Sequence, residues 1–321
     1  MSQLQEIRMQ KLITKLPVDK NRYLRPVFSF PNARTALKAY LQALDLSPED
    51  EILLPGYIGW SKNEGSGVFD PIAELGIKFA FYRLTPTLGI DLDYFIRVLR
   101  RDHPRVVIII HYFGYPDANL AQIVHLAHSH GSLVLEDEAH ALYSDWIGGI
   151  CGRYGDATIL SLHKMIPVNS GGLLMLNKTG NGNMQERLNK CEYFTPLDYN
   201  LLEFDFAHIA KARRNNAAIL MELVAPLRGR ADLLFQSLPD SVVPQTLPIL
   251  IRFSSRDRIY DDLNNSGYGV VSLYHTLIKQ ITKEDFPVSH HLSRQILNLP
   301  VHQDISTDQL EAMVIELSKL V

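Results

Sequence analysis

The feature that most constrains the fold is an alternation of two kinds of segment between residues 92 and 139. VVIIIHYFG (106–114) and SLVLEDEA (132–139) contain uninterrupted apolar runs, whereas LDYFIRVLR (92–100) and NLAQIVHLAHSHG (119–131) repeat apolar residues at helical spacing. Strands that are apolar along their length are buried on both faces, which is typical of a parallel sheet covered by helices. The sequence therefore predicts an α/β protein with a mainly parallel central sheet flanked by helices.

Further segments extend this pattern in both directions along the chain. We predict strands at 51–55, 78–84, 157–162 and 172–177, a helix at 33–46 with Asn32 as its N-cap, and a long helix at about 205–227. Beyond it we predict strands at 247–253 and 268–274 and helices at 256–265, 290–297 and 307–320. This change of pattern predicts a large domain over 1–227 and a smaller C-terminal α+β domain over 228–321.

Composition excludes two classes of partner. The 321-residue chain is 46% hydrophobic, which is enough for a full core, and its formal net charge of -3 lacks the basic excess that nucleic-acid binding requires. No segment approaches the roughly 18 uninterrupted apolar residues of a membrane span. The start, MSQLQEIRMQKLITK, resembles neither a secretory signal nor an anchor. We therefore expect neither a nucleic-acid nor a membrane partner.

The cysteines and histidines predict no disulfide and no metal site. Cys151 and Cys191 are too few for a disulfide framework or a metal-ligand set, which favours a reducing cytoplasm. HSH (128–130) and SHH (289–291) lack the helical pair with a carboxylate that many metal sites use. We therefore predict a cytoplasmic protein without a metal.

Polar side chains follow three of the predicted strands. His111 comes after VVIII, Asp137 after LVLE, and the stretch from Ser161 to Lys164 after ATIL. Ligands of an open parallel sheet bind beyond the carboxyl ends of its strands, so these side chains are candidates for one site. Each of these residues has an alternative interpretation as a loop residue whose hydrogen bonds are satisfied locally. For Lys164 the alternative is a structural lysine, whose stem packs on apolar surface while the amine reaches water.

An amine and a carboxylate at neighbouring strand ends fit the two ends of one flat cofactor. A lysine bonds an aldehyde, and an aspartate pairs with a protonated ring nitrogen, which together describe pyridoxal 5'-phosphate. The phosphate would find N–H donors at the start of the helix at 33–46, and Arg34, Thr35 and Ser161 could add side-chain donors. A nicotinamide cofactor is disfavoured, because no Gly-x-Gly-x-x-Gly turn follows the first strand.

Several motifs occur in a recognisable order. They are EILLPGY, HYFGYPDANLAQIVHLAHSHGSLVLEDEAHA, GDATILSLHKMIPVNSGG, LDYN at 197–200 and LNLPVHQDISTDQL. This series resembles the DegT/DnrJ/StrS family of pyridoxal-phosphate-dependent aminotransferases, which act mostly on nucleotide-linked keto sugars. The resemblance covers most of the chain and implies the type I aspartate-aminotransferase-like fold.

The resemblance also implies a role for individual residues. Lys164 would form the Schiff base and shuttle protons, and Asp137 would pair with the pyridine nitrogen. His140 would lie near the phenolic oxygen of the cofactor. The alternative interpretation of His140 is a neutral, hydrogen-bonded residue at the start of a helix. The phosphate of the cofactor would be bound by Ser161 on one side and by Asn32, Ala33, Arg34 and Thr35 on the other. Arg34 stands where a small hydroxyl residue is usual, so the substrate is a second candidate for its contact.

Three further positions complete the predicted site. A ring stacked on the cofactor should come from PGYIGW (55–60), in which Tyr57 and Trp60 are both candidates. Asn200 matches a family residue that reaches the partner subunit's phosphate, which implies a homodimer with shared active sites. His163 either touches the cofactor or caps the turn.

The sequence thus predicts an aminotransferase that moves an amino group from an amino acid, with glutamate as a candidate, to a keto or aldehyde acceptor. A nucleotide-linked keto sugar is one candidate acceptor. The alternatives are a pyridoxal-phosphate-dependent elimination or dehydration enzyme and a catalytically silent regulatory protein that binds the cofactor. Acceptor specificity is expected in the 56–71 loop, the 178–200 segment and the small domain, with Arg153, Tyr193, Arg213 and His275 as candidate residues.

Overall fold

The computed structural model describes residues 25–177, 182–197 and 199–321. The N-terminal stretch in which we predict no signal or anchor lies outside these residues. Within the described ranges, none of the helices combines the length and the apolar character that a membrane crossing requires.

A seven-stranded sheet forms the centre of the fold and confirms the predicted α/β class. Its order is β1-β7-β6-β5-β4-β2-β3, and only β7 runs antiparallel to its two neighbours. Strands β4, β6 and β7 are buried along their whole length, as their apolar sequences predict. The strands are β1 (Val27–Phe30), β2 (Glu51–Pro55), β3 (Lys78–Tyr82), β4 (Val106–Ile110), β5 (Leu133–Asp137), β6 (Ala157–Ser161) and β7 (Gly172–Leu176).

Helices cover this sheet and connect its strands. Asn32 caps the first helix, because its side chain accepts a hydrogen bond from the Thr35 N–H at 2.9 Å. The α-helices are α1 (Ala33–Ala43), α2 (Phe69–Glu74), α3 (Leu92–Asp102), α4 (Leu120–Ser129), α5 (Leu142–Trp146), α6 (Gly182–Asn189), α7 (Phe206–Val224), α8 (Arg256–Asn265), α9 (Pro287–Gln295) and α10 (Thr307–Leu320).

A second, antiparallel sheet lies in the C-terminal part of the chain. It consists of β8 (Ala231–Leu233), β9 (Thr246–Ile251) and β10 (Ile296–Pro300), in the order β10-β9-β8. Apolar residues of α7, α8 and α10 pack with this sheet in a core of their own. The boundary between residues 227 and 228 stays a prediction.

Two predictions for the C-terminal part are wrong. Residues 268–274 form no strand beyond a single bridge from Val271 to Asn298, because positive φ angles at Gly269 (64°) and Tyr274 (60°) interrupt the extended backbone. The helix predicted at 290–297 ends at Gln295, since Ile296 starts β10 and pairs with Leu250 of β9.

Candidate active site

The ends of β5 and β6 bring the predicted lysine and aspartate to the same edge of the sheet. Asp137 is the last residue of β5, and β6 runs parallel beside it to Ser161. The chain then makes a short 3₁₀ turn, Leu162–Lys164, that carries the lysine. The Lys164 Nζ atom lies 3.4 Å from His140 Nε2. The structure therefore brings Lys164, Asp137 and His140 together.

We call the region bordered by Lys164, Asp137 and His140 the cleft. Solvent still reaches Lys164, yet protein surrounds its amine closely enough that burial lowers the pKa of Lys164, with the carboxylates of Asp137 and Glu64 opposing the shift. A lowered pKa increases the neutral fraction of the amine, which is the form that attacks a carbonyl. Lys164 is therefore both accessible and activated.

Asp137 is almost completely buried, with 4% of its surface exposed. Its Oδ1 atom accepts a hydrogen bond from the Ala139 N–H at 2.9 Å. Burial raises the pKa of Asp137, whereas the Ala139 N–H, the Lys164 amine and His111 act in the opposite direction. A buried carboxylate of this kind favours a cationic partner, because the partner offsets the loss of water around the charge.

His140 is a neutral, buried ring beside the lysine. Its Nδ1 atom accepts a hydrogen bond from the Phe113 N–H at 3.4 Å, which leaves the proton on Nε2, the atom next to Lys164. Burial lowers the pKa of His140 well below its usual value, and the Lys164 charge lowers it further. The ring can therefore donate one hydrogen bond into the cleft. This geometry matches both the cofactor contact and the hydrogen-bonded alternative described above.

The start of β7 joins Ser161 to the N-terminus of α1. Gly172 pairs with Ser161 on one side and with Phe30 on the other. A Cβ atom on Gly172 would lie 2.2 Å from the carbonyl carbon of Asn32 and 2.5 Å from the amide nitrogen of Ala33, so only glycine fits. The first N–H groups of α1 have no partner within the helix. They form a cup with Ser161 that suits an anion.

The side chains around this cup differ in what they can offer. The Asn32 Oδ1 atom is used by the N–H and hydroxyl groups of Thr35, so Asn32 acts as a helix cap. The Arg34 guanidinium already has partners, because it donates to the Glu64 carbonyl and lies 4.0 Å from Asp70. Backbone N–H groups at Ala33 and Arg34 therefore remain the main donors on this side.

Two more of the predicted site residues are His163 and Asn200. His163 is exposed, and its Nδ1 atom is 3.4 Å from the Ser161 Oγ atom. Asn200 is also exposed, and its side chain accepts a hydrogen bond from the Leu202 N–H at 3.0 Å.

Tyr274 is an aromatic site residue that the sequence interpretation missed. Its ring stacks on Tyr57 at 5.2 Å between centroids and lies 5.9 Å from the His140 ring. It packs over Gly59, where a Cβ atom would be 3.0 Å from the Tyr274 ring. Tyr57 is fully buried behind it, whereas Trp60 is 44% exposed. The prediction of a strand at 268–274 placed Tyr274 in a sheet, and no motif marked it as a site residue.

Two of the candidate specificity residues already have structural partners. Arg213 is buried and donates to the carbonyl oxygens of Gln245 and Met165 at 3.1 and 3.3 Å. Arg153 pairs with Asp145 at 3.2 Å. Both guanidinium groups thus stabilise the local fold.

The fold and the cleft define a class of protein. A mostly parallel sheet with a lysine and a buried aspartate at its edge is the arrangement of pyridoxal-phosphate-dependent transferases of the type I fold. Helicobacter pylori PseC, an aminotransferase involved in the biosynthesis of pseudoaminic acid, has this fold, with a TM-score of 0.74 and 17% identity over 92% of this chain and 86% of its own.

Sequence comparison then identifies the family. The model of the DegT/DnrJ/EryC1/StrS aminotransferase family matches residues 24–192 and 204–318, so the chain belongs to that family of pyridoxal-phosphate-dependent enzymes. The UDP-N-acetyl-3-dehydro-alpha-D-glucosamine 3-aminotransferase of Acidithiobacillus ferrooxidans is 23% identical over 307 residues, or 86% of this chain and 79% of that protein. A pleiotropic regulatory protein of Geobacillus stearothermophilus is 23% identical, and the alignment covers 94% of this chain and 87% of that protein.

Proposed function

We propose that this protein transfers an amino group from an amino acid to a keto sugar linked to a nucleotide. The observation that carries the proposal is the cleft in which Lys164, an exposed residue whose amine has a lowered pKa, lies near the buried Asp137. The nucleotide-sugar acceptor is supported by the relative that acts on a UDP-linked dehydro sugar.

The residues of the cleft fit pyridoxal phosphate. Lys164 would bind its aldehyde, Asp137 would accept a hydrogen bond from the protonated ring nitrogen, and His140 would donate one from Nε2 to the phenolic oxygen. The close approach of Gly172 to Asn32 leaves the N-terminus of α1 and Ser161 to hold the phosphate. When bound, the cofactor supplies an electron sink for the carbanion at the substrate α-carbon.

The chain's own groups account for the proton movements. Once the amino group of the donor has displaced it, the Lys164 amine would take the proton from the substrate α-carbon and deliver it again, because a neutral amine is a competent base. Asp137 would keep the ring nitrogen of the cofactor protonated, and its burial would strengthen that charge pair. Tyr274, whose ring lies beside His140, would limit the entry of water. We assign the covering ring to Tyr274, with Tyr57 packed behind it.

We further propose a homodimer with shared active sites. Asn200 is exposed, and Leu202 and Phe194 near it are 89% and 44% exposed, which is unusual for large apolar side chains unless a partner covers them. A mixture of Lys164→Ala and Asn200→Ala chains tests this, because a shared site regains activity only when both variants meet in one dimer. A mixture as inactive as its components would contradict the sharing.

Cofactor trapping tests the proposed site. After incubation with pyridoxal phosphate and borohydride, peptide mapping should find the cofactor on Lys164, and the adduct should disappear in Lys164→Arg but persist in Lys279→Arg. Glutamate should then bleach the absorbance of the unreduced protein, and UDP- or dTDP-linked keto sugars should restore it. Lack of cofactor uptake, or an adduct on another lysine, would contradict the assignment.

The regulatory relative defines the second candidate function, a protein that binds the cofactor without turnover. The same experiment distinguishes it, because such a protein gives the Lys164 adduct but shows no spectral response to any amino donor. An elimination enzyme would respond to its substrate and release a dehydrated product without taking up the amino group. The cytoplasmic location, favoured by the free thiols of Cys151 and Cys191, stays a prediction.

A further inference from the structure

Three side chains that are distant in sequence meet on the opposite side of β5 from the cleft. They are His111 after β4, Glu138 after β5, and Cys151 in the loop between α5 and β6, and each is completely buried. One nitrogen, sulfur or carboxylate oxygen from each of them lies within 4.8 Å of the other two. Because successive residues of a strand point to opposite faces, Glu136 lies on this side while Asp137 faces the cleft.

The polar atoms of this cluster have few hydrogen-bond partners. Among the described residues, His111 Nδ1 is buried without one, and the Glu138 carboxyl group, whose oxygens make no hydrogen bond of ordinary geometry, has the Cys151 thiol as a weak donor. Buried polar atoms are nearly always well paired, so an unpaired nitrogen near a carboxyl group with a weak thiol donor indicates a missing ligand. A nitrogen, two oxygens and a sulfur are all electron-pair donors, which indicates a cation.

Glu136 orients the histidine toward this point. The His111 Nε2 atom lies 2.8 Å from a Glu136 carboxylate oxygen, so the imidazole donates from Nε2 and keeps Nδ1 as a free acceptor. Glu136 is itself fixed by the N–H groups of Gly152, Tyr154 and Gly155 at 2.8, 3.0 and 2.7 Å. A carboxylate that holds the second nitrogen of a histidine is the usual support of a metal-binding imidazole.

We propose that His111 Nδ1, Cys151 Sγ and a Glu138 carboxylate oxygen bind one divalent cation, with zinc as the preferred ion. Imidazole, thiolate and carboxylate together match the ligand preferences of zinc and exclude the all-oxygen sites of calcium and magnesium. Ligands of a tetrahedral zinc ion are about 3.5 Å apart, so the side chains close by about 1 Å around the ion. Binding releases the Cys151 thiol proton to solvent, and the second Glu138 oxygen or a water molecule completes the coordination.

The charged groups around the cluster are mainly acidic, and this favours a bound cation. Asp145 and Glu136 both raise the pKa of Glu138, after the larger effect of burial. A Cβ atom on Gly152 would lie 2.4 Å from Glu138 Oε1 and 2.5 Å from Asp145 Oδ2, which places these two carboxylates close together. Arg25 and Arg153 pair with Asp145, and Arg25 lowers the pKa of Glu138 by less than burial and the two carboxylates raise it. The ion would join the ends of β4 and β5 to the loop that contains Cys151.

Metal binding to the full chain tests the proposal. After removal of metals and titration with zinc, elemental analysis should give about one ion per chain, and cobalt in its place should show a thiolate charge-transfer absorption. Cys151→Ser should abolish that absorption, whereas Cys191→Ser, the matched control, should leave it unchanged. Glu136→Gln should weaken the affinity roughly 10- to 100-fold through the histidine.

A second measurement avoids variants that fail to fold. In the unmutated chain under mild denaturant, zinc should protect Cys151 from a thiol reagent while Cys191 continues to react. The proposal is overturned if the folded chain takes up no zinc or cobalt, if the cobalt absorption survives Cys151→Ser, or if zinc does not slow the labelling of Cys151. If zinc does not slow the labelling of Cys151, Glu138 is a protonated carboxyl group and not a ligand of an ion.

Discussion

The two faces of the sheet at the end of β5 place neighbouring acids in different chemical settings. Asp137 faces a cleft that solvent reaches, with the Lys164 amine and the neutral His140 ring beside it. Glu136 and Glu138 face a closed interior with His111 and Cys151. The period of two along a strand produces this division, so three consecutive acids have two different surroundings.

Accessibility distinguishes these acids more than burial does. Burial raises the pKa of both Asp137 and Glu138, but Asp137 has the solvent-exposed Lys164 as a neighbour, whereas Glu138 has the buried Cys151. We therefore assign reactive chemistry to the cleft and a structural ion to the closed side.

The largest effect is expected for Lys164→Ala. Loss of the amine should lower the rate of amino transfer about 10³-fold, because the same amine is proposed to bind the cofactor and to move the proton. Lys279→Ala, at an exposed position, should keep the normal rate. Steady-state assays with glutamate and a keto-sugar acceptor measure both. If the rate of Lys164→Ala stays within tenfold of the normal rate, the cleft does not carry out the reaction.

Asp137→Asn should have the next largest effect. The amide cannot hold the ring nitrogen protonated, so amino transfer should fall about 10²-fold, whereas Asp93→Asn on the exposed start of α3 should not change it. The zinc content of Asp137→Asn should stay the same, because the ion lies on the other face. A parallel loss of zinc would show that the two faces act as one site.

Gly172→Ala tests the cup between β7 and α1. The new Cβ atom would overlap the backbone of Asn32 and Ala33, and we expect a loss of about 1–3 kcal/mol in the free energy of unfolding. Gly67→Ala is the matched control, since no atom lies within 4 Å of its Cβ position. Chemical denaturation measures both variants. Equal stability of the two would contradict the close approach that forms the cup.

Tyr274→Ala should give the smallest effect. Loss of the covering ring removes about 0.5–1.5 kcal/mol of aromatic contact, so the dissociation constant for pyridoxal phosphate should rise roughly 3- to 10-fold. Tyr274→Phe keeps the ring and should bind the cofactor normally. Titration followed by cofactor absorbance measures the affinity. If Trp60→Ala weakens binding and Tyr274→Ala does not, the covering ring belongs to Trp60.

Sequence reasoning was accurate for the fold and the family, where a local pattern carries the signal. The apolar runs at 106–110 and 157–161 predicted buried strands of a parallel sheet, and the ordered motifs predicted the family, whereas the roles of Lys164 and Asp137 stay predictions. It was wrong at 268–274, where VVSLY has strand propensity but positive φ angles and the contact with Asn298 decide the backbone. The short strand β1 was missed, because its pairing with β7 is not encoded locally.

The class of fold and the family can be derived from the amino-acid sequence, and so can the proposal that Lys164 is the reactive lysine, because hydrophobic periodicity and ordered motifs are local properties of the chain. Which side chains meet depends on the tertiary structure. It placed Tyr274 over Tyr57 beside His140, turned Arg34 toward Glu64, and brought Cys151 to His111 and Glu138. Contacts between residues far apart in the chain depend on how helices and sheets pack, and no single segment contains that information.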